Sequence, residues 1–198
     1  MAPTVLSETV STYDHIAAAY ARRATYPLER EIERVCELVP VGGMVLDVGC
    51  GAGQYARALR SRGMRVLPLD LSSGMLREAR QRGTPNLIQA DMRWLPFPTG
   101  VADGCFVCAS LLHLPRDRSS SALRECHRVL RMGGMLYLSI KEGVGEAWVA
   151  HRFFTYYRPD EIDALILAAG FKIVDGWFGP PASSDGEHRW INRFAVVS

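Results

Sequence analysis

Apolar positions along this chain of 198 residues fall into short runs, separated by stretches in which they recur every three or four residues. The runs Met44–Val48, Arg65–Leu69, Asn86–Gln89, Gly104–Ala109 and Met135–Ile140 have strand length, and Gln54–Ser61, Gly74–Arg82 and Arg118–Leu130 between them read as helices. Two further helical stretches, about Leu6–Ala21 and Pro27–Val39, precede the first strand. A helix over Pro159–Ala169 carries proline at its start and Gly170 just past its end, the expected asymmetry of helix termini. Two closing strands fit Phe171–Phe178 and Trp190–Val197, with Pro180-Pro-Ala-Ser-Ser-Asp-Gly-Glu between them as a long hairpin loop. Leu95-Pro-Phe-Pro reads as loop, and Lys141 to Arg158 is less regular and rich in aromatic residues.

Short apolar strands alternating with helices predict an α/β fold: a doubly wound, mostly parallel seven-stranded sheet with helices on both faces. No helix separates the last two strands, so the final one is expected to be antiparallel. No repeat, low-complexity segment or linker interrupts the pattern. The reading is one domain over residues 1–198, with a helical cover at 1–40 on a core at 41–198.

Composition narrows the class. A hydrophobic share of 48% suits one full core. No run approaches the ~18 apolar residues of a membrane span. Met1 to His15 lacks a basic region followed by an apolar stretch, so the expected location is the cytoplasm. The net charge of +2 leaves no footprint for nucleic acid or membrane, and the 23 basic residues, all Arg except Lys141 and Lys172, are spread evenly. The five cysteines are odd in number and scattered, which is not a disulfide framework. Cys105 and Cys108 form a C-x-x-C, but three positions apart on a strand they point to opposite faces. No second pair completes a zinc set, so no metal is expected.

The most informative segment is Asp47-Val-Gly49-Cys50-Gly51-Ala-Gly53, which joins an apolar strand to a helix. Glycines allow a sharp turn and a close ligand approach. The dinucleotide fingerprint G-x-G-x-x-G would place its third glycine at position 54, where Gln54 stands. The order acid-x-G-x-G-x-G instead resembles the binding loop of class I S-adenosylmethionine-dependent methyltransferases. The resemblance continues through Glu125-Cys-His-Arg-Val-Leu-Arg-Met-Gly-Gly-Met-Leu-Tyr-Leu-Ser and covers roughly residues 40 to 198. Near the start, Tyr13-Asp-His-Ile-Ala-Ala-Ala-Tyr20-Ala-Arg-Arg23 is similar to the Tyr-Asp-x-x-Ala-x-x-Tyr opening of many such enzymes.

That resemblance implies S-adenosylmethionine as cofactor and assigns expected roles. Asp47, Gly49, Cys50, Gly51 and Gly53 would take the methionine part, and Tyr20 and Arg23 would stand near its carboxylate. Asp70, 21 residues after Gly49 at the end of the second strand, would accept from both ribose hydroxyls. Leu71 and Met75 would line the adenine slot, with Asp91 and Met92 at the adenine-binding turn. Ala109 and Ser110 lie where the fourth strand passes the reactive methyl group. His113 is the one side chain in that stretch able to move protons near neutral pH, and is the candidate general base.

The reading is therefore methyl transfer to a small-molecule acceptor by in-line displacement. The strand end carries no Asn/Asp-Pro-Pro-aromatic motif, no Pro-Cys dipeptide and no magnesium-holding acid. The alternatives are a tRNA or other nucleic-acid methyltransferase, a nicotinamide-dependent dehydrogenase, and a non-catalytic cofactor-binding protein. The aromatic segment after the fifth strand, with Trp148, His151, Phe153, Phe154, Tyr156 and Tyr157, is the expected substrate-facing cover, together with the N-terminal helices. Arg116, Arg118, Arg124 and Arg131 read as a solvated face.

Overall fold

The computed structural model describes residues 4–23, 27–181 and 188–198. Helices α1 (Val5–Arg23) and α2 (Glu29–Leu38) come first. Then β1 (Met44–Val48), α3 (Gln54–Ser61), β2 (Arg65–Asp70), α4 (Ser73–Gln81), β3 (Ile88–Gln89), β4 (Ala102–Cys108), α5 (Arg116–Val129) and β5 (Leu130–Lys141) alternate. The hairpin strands β6 (Glu146–Val149) and β7 (Arg152–Thr155) follow, then α6 (Pro159–Ala168), β8 (Phe171–Pro181) and β9 (Arg189–Val197).

The seven-stranded sheet has the order β3-β2-β1-β4-β5-β9-β8. Strands β3, β2, β1, β4 and β5 pair in parallel, and β9 runs antiparallel between β5 and β8. The pleat divides the core. Leu46, Cys105, Val107 and Leu138 face one apolar cluster with α5 and α6, while Val45, Phe106, Tyr137 and Phe194 face the other with α2 and α3. Both faces are covered, which is why these strands read as continuous apolar runs. Cys105 and Cys108 pack into different clusters, as the two-residue period requires.

Several boundaries differ from the sequence reading, each for a local reason. Strand β3 keeps only two residues, because Asn86 takes a positive φ of 58° just upstream. Strand β5 begins at Leu130, directly where α5 ends, and not at Met135. Strand β8 runs on to Pro181, and the rest of the expected loop, 182–187, lies outside the described residues. The segment expected to be irregular holds the hairpin β6–β7, whose two-residue turn places Ala150 and His151 at φ of 48° and 59°. Two central residues with positive φ define a type I′ turn. The usual Asn-Gly signal is absent from Ala150-His151, so the hairpin was not legible. Arg116 also departs from the solvated-face reading: its guanidinium lies 4.3 Å from the Tyr157 ring centre and donates to the Tyr156 carbonyl at 2.5 Å.

Strand β1 sits between β2 and β4, where the winding of the parallel sheet reverses. The carboxyl ends of these strands therefore open a crevice. Helix α1 closes it from above. Asp14 Oδ1 accepts the Gly74 N–H at 2.7 Å and the Ser72 hydroxyl at 2.6 Å, fastening α1 to the start of α4. On its other flank Thr9 Oγ1 accepts the Phe153 N–H at 3.1 Å, and the Thr12 hydroxyl donates to the His151 carbonyl at 2.7 Å.

Candidate functional site

A cavity of about 790 Å³ lies between α1 and the carboxyl ends of β1, β2, β4 and β5. Its size falls in the usual range for small-molecule sites, roughly 300–1,000 Å³.

The glycine loop forms one wall, and its three glycines do different work. Gly49 and Cys50 both donate their N–H to the Leu69 carbonyl at 2.8 Å, pinning the loop across to β2. A Cβ on Gly49 would collide with the side chain of Ser110, whose hydroxyl donates to the Val48 carbonyl at 2.7 Å. A Cβ on Gly53 would collide with Thr84, and Gly53 does not line the cavity. Gly51, at φ 52°, lines the cavity and would set a Cβ into open space. Only there does a missing side chain leave room for a ligand to approach the backbone.

Asp70, at the end of β2, faces the same cavity. Its Oδ2 accepts the Gly51 N–H and its Oδ1 the Ser72 N–H, both at 2.8 Å. Each oxygen retains capacity for a further donor. Burial pushes the carboxyl above the usual range, against the pull of these N–H bonds.

Asp47 stands behind the loop, buried, and does not line the cavity. Burial, with the Asp70 charge added, pushes its carboxyl up to about 8, opposed by the Ala56 N–H that it accepts. Its Oδ2 has no hydrogen-bond partner among the described residues. The acid of the motif thus ties the end of β1 to the first turn of α3.

Leu71, Met75, Ala90, Asp91 and Met92 continue the wall beyond Asp70. The Asp91 carboxylate is held by Arg93, whose Nη2 donates to Oδ2 at 2.7 Å and Nε to Oδ1 at 3.0 Å. Tyr20, Arg23, Gln54 and Tyr55 line the end near the glycine loop. Ala109 and Ser110 line it past β4, with Ala109 held at φ 50°, a conformation that costs an alanine about 1–2 kcal/mol and tends to persist at functional sites. Of the residues singled out in the sequence, then, the fold gathers Gly49, Cys50, Gly51, Asp70, Leu71, Met75, Asp91, Met92, Ala109, Ser110, Tyr20, Arg23 and His113 onto one cavity, and leaves Asp47 and Gly53 behind its wall.

His113 faces the cavity with both nitrogens engaged. Nδ1 lies 2.7 Å from the Phe153 carbonyl, which only accepts, so Nδ1 carries the proton. Nε2 then accepts from the Tyr13 hydroxyl at 2.8 Å. Burial, with the Arg152 and Lys141 charges, pulls the imidazole down to about 4, against the Phe153 bond. His113 is neutral near pH 7, and Tyr13 covers its one basic nitrogen. Tyr13 itself was not singled out for a role. It lies about two helical turns before Tyr20, and the tyrosine spacing on α1 was the available signal.

Lys141, Arg152, Phe154, Trp190 and Asn192 also line the cavity. Of the aromatic residues at 148–157 expected as a cover, only Phe154 reaches the cavity; Phe153, Tyr156 and Tyr157 are core, and Trp148 is exposed. Trp190 and Asn192 come from β9, far along the chain, and nothing in the sequence pointed to them. Among the described residues no group of three or more His, Cys, Asp or Glu could hold a metal, and no helix is long and apolar enough to cross a membrane.

Residues 46–138 match the family described as "Methyltransferase domain". Malonyl-[acyl-carrier protein] O-methyltransferase of Yersinia pestis is 35% identical over 147 residues, which are 67% of this chain and 54% of that protein. The chain spans about half the length of the curated malonyl-[acyl-carrier protein] relatives it matches. In fold, the [4+2]-cyclase SpnF superposes with a TM-score of 0.78 at 19% identity, covering 98% of this chain and 97% of that one. The 1,6-didemethyltoxoflavin-N1-methyltransferase of Burkholderia thailandensis, solved with 1,6-didemethyltoxoflavin and S-adenosylhomocysteine, superposes with a TM-score of 0.73 at 21% identity, covering 96% of this chain and 88% of that one.

Proposed function

We propose, for a chain that belongs to the class I S-adenosylmethionine-dependent methyltransferases, that it binds S-adenosylmethionine in this cavity and methylates a small-molecule acceptor. The observation that carries the reading is the pairing of Gly51 with Asp70. One presents an open backbone to the cavity, and the other a carboxylate with spare acceptor capacity, locked by the Gly51 N–H.

The residues present fit the cofactor. Asp70 would accept from the ribose hydroxyls. Leu71, Met75 and Met92 offer an apolar slot for the adenine, with Asp91 at its polar edge. Gly49, Cys50 and Gly51 would take the methionine backbone, with Tyr20 and Arg23 near its carboxylate. Asp47 and Gly53 support the loop from behind. When bound, S-adenosylmethionine supplies a methyl group already activated on a sulfonium.

What this chain adds is alignment and exclusion of water. Helix α1 covers the crevice, fixed on one side by Asp14 and on the other by Thr9 and Thr12. Holding two reactants in line can supply up to about 7–11 kcal/mol of a barrier. His113, neutral and bonded to Tyr13, orients that phenol at the cavity and is not itself the proton acceptor. The relatives named as O-methyltransferases and the N1-methyltransferase neighbour support a small acceptor.

Titration calorimetry of the folded chain with S-adenosylmethionine and S-adenosylhomocysteine tests the reading. Micromolar binding is expected, and Asp70→Asn should weaken it about 10–100-fold, the cost of charge-assisted hydrogen bonds. No heat with either ligand would overturn it. S-adenosylhomocysteine release on a panel of small acceptors tests turnover.

A further inference from the structure

Two cationic side chains stand together at one end of the cavity. Lys141, the last residue of β5, and Arg152, the first of β7, both face the cavity and both stand over the Phe154 ring. Lys141 Nζ is 4.7 Å and the Arg152 guanidinium carbon 5.3 Å from its centre. The Lys141 ammonium is also 5.9 Å from the Trp190 ring centre.

The described acids that line the cavity are Glu31, Asp70 and Asp91. Glu31 accepts the Trp177 indole N–H at 2.8 Å, Asp70 accepts backbone N–H groups, and Asp91 is clasped by Arg93. Arg152 has no carboxylate partner among the described residues. Its Nη1 reaches the Tyr13 hydroxyl only at 3.5 Å, and its Nε is buried without a hydrogen-bond partner. Aromatic faces attract a cation by about 0.5–2 kcal/mol, less than its lost hydration. A guanidinium edge so placed, with a second cation over the same ring, is built to be completed by an anion.

We infer that the acceptor is a small organic acid whose carboxylate docks between Lys141 and Arg152 beside Phe154, an inference that rests on the cofactor reading above. A guanidinium edge presents parallel N–H donors that match the two oxygens of a carboxylate. The flanking Phe154 and Trp190 suit an apolar or aromatic body on that acid. The anionic group is the handle by which the acceptor is oriented.

Matched pairs test this on the chain saturated with S-adenosylhomocysteine: benzoate against benzamide, 4-hydroxybenzoate against 4-hydroxybenzamide, and hexanoate against hexanamide, by calorimetry or saturation-transfer NMR. At least one acid is expected to bind tenfold or more tighter than its amide. Arg152→Gln and Lys141→Gln should each cut that preference severalfold, with S-adenosylhomocysteine affinity within twofold of the parent. Equal binding of acids and amides, or no binding of any acid, to a chain that does bind S-adenosylhomocysteine overturns the inference and leaves the cofactor reading standing. Tighter binding of phenyl phosphate than of benzoate overturns the carboxylate assignment. Failure to bind S-adenosylhomocysteine removes the cofactor reading and this inference with it. The comparison on the unaltered chain does not depend on either variant folding.

Discussion

An alanine at Gly49 would press its Cβ into Ser110 and strain a backbone at φ 80°, whereas one at Gly51 would meet no protein atom. Two outcomes follow. Gly49→Ala should destabilise the fold, lowering Tm. Gly51→Ala should cost only the left-handed backbone strain, about 1 kcal/mol, yet weaken S-adenosylmethionine binding at least tenfold. Thermal melts and calorimetry on the two variants separate these effects. Asp47 makes a second prediction through its raised carboxyl. An acid whose folded value is about 8, above the usual 3.8, keeps its proton in the folded chain while the unfolded chain loses it. Its contribution to stability therefore falls as pH rises from about 4 to about 8. Asp47→Asn removes that titration, so the stability of the variant relative to the parent should climb across this window in denaturant titrations. His113, neutral above its value of about 4, should leave no ionisation limb in a pH–rate profile between about pH 5.5 and 8.

At the scale of elements, helix α1 functions through what grips it. A Cβ on Gly74 would lie 2.7 Å from the Asp14 backbone, so α1 and α4 approach closely because this position is glycine. Gly74→Ala should push α1 off α4, and Asp14→Ala should release the same contact by removing its hydrogen bonds. Both are expected to weaken S-adenosylmethionine binding severalfold with the sheet intact by circular dichroism, since Tyr13 and Tyr20 ride on α1. The β6–β7 hairpin supplies Arg152 and Phe154 from a turn whose two central residues are both non-glycine at positive φ. Replacing Ala150-His151 with Asn-Gly should relieve that strain and raise stability by about 1 kcal/mol, read as an increase in Tm. The Thr12 bond to the carbonyl of position 151 is backbone-directed and survives the exchange.

At the scale of the molecule, a ligand that binds only the folded state stabilises it by mass action. At a hundred times its Kd, S-adenosylmethionine should add about 2.7 kcal/mol. For a chain of this length that shifts Tm upward by roughly 5–10 °C in a thermal-shift assay. Such a shift with S-adenosylmethionine, and none with NADH, would separate the glycine-loop reading from a dinucleotide site.

The alternating architecture, the antiparallel β9 and the glycine loop were legible from the chain because each rests on local pattern: period, turn residues and spacing within a few positions. So was the approximate place of Asp70, since a strand end fixes where its side chain emerges. Which glycine meets the ligand was not legible, because that depends on Ser110 and Thr84, brought in from distant segments. Nor were the two hydrogen bonds on His113, which Tyr13 and Phe153 make across separations of 100 and 40 residues. The convergence of Lys141, Arg152 and Trp190 on one cavity is likewise a product of packing. Local chemistry in the chain specified the elements and the loop; tertiary contact alone decided which polar groups face water, which face one another, and which are left to face a ligand.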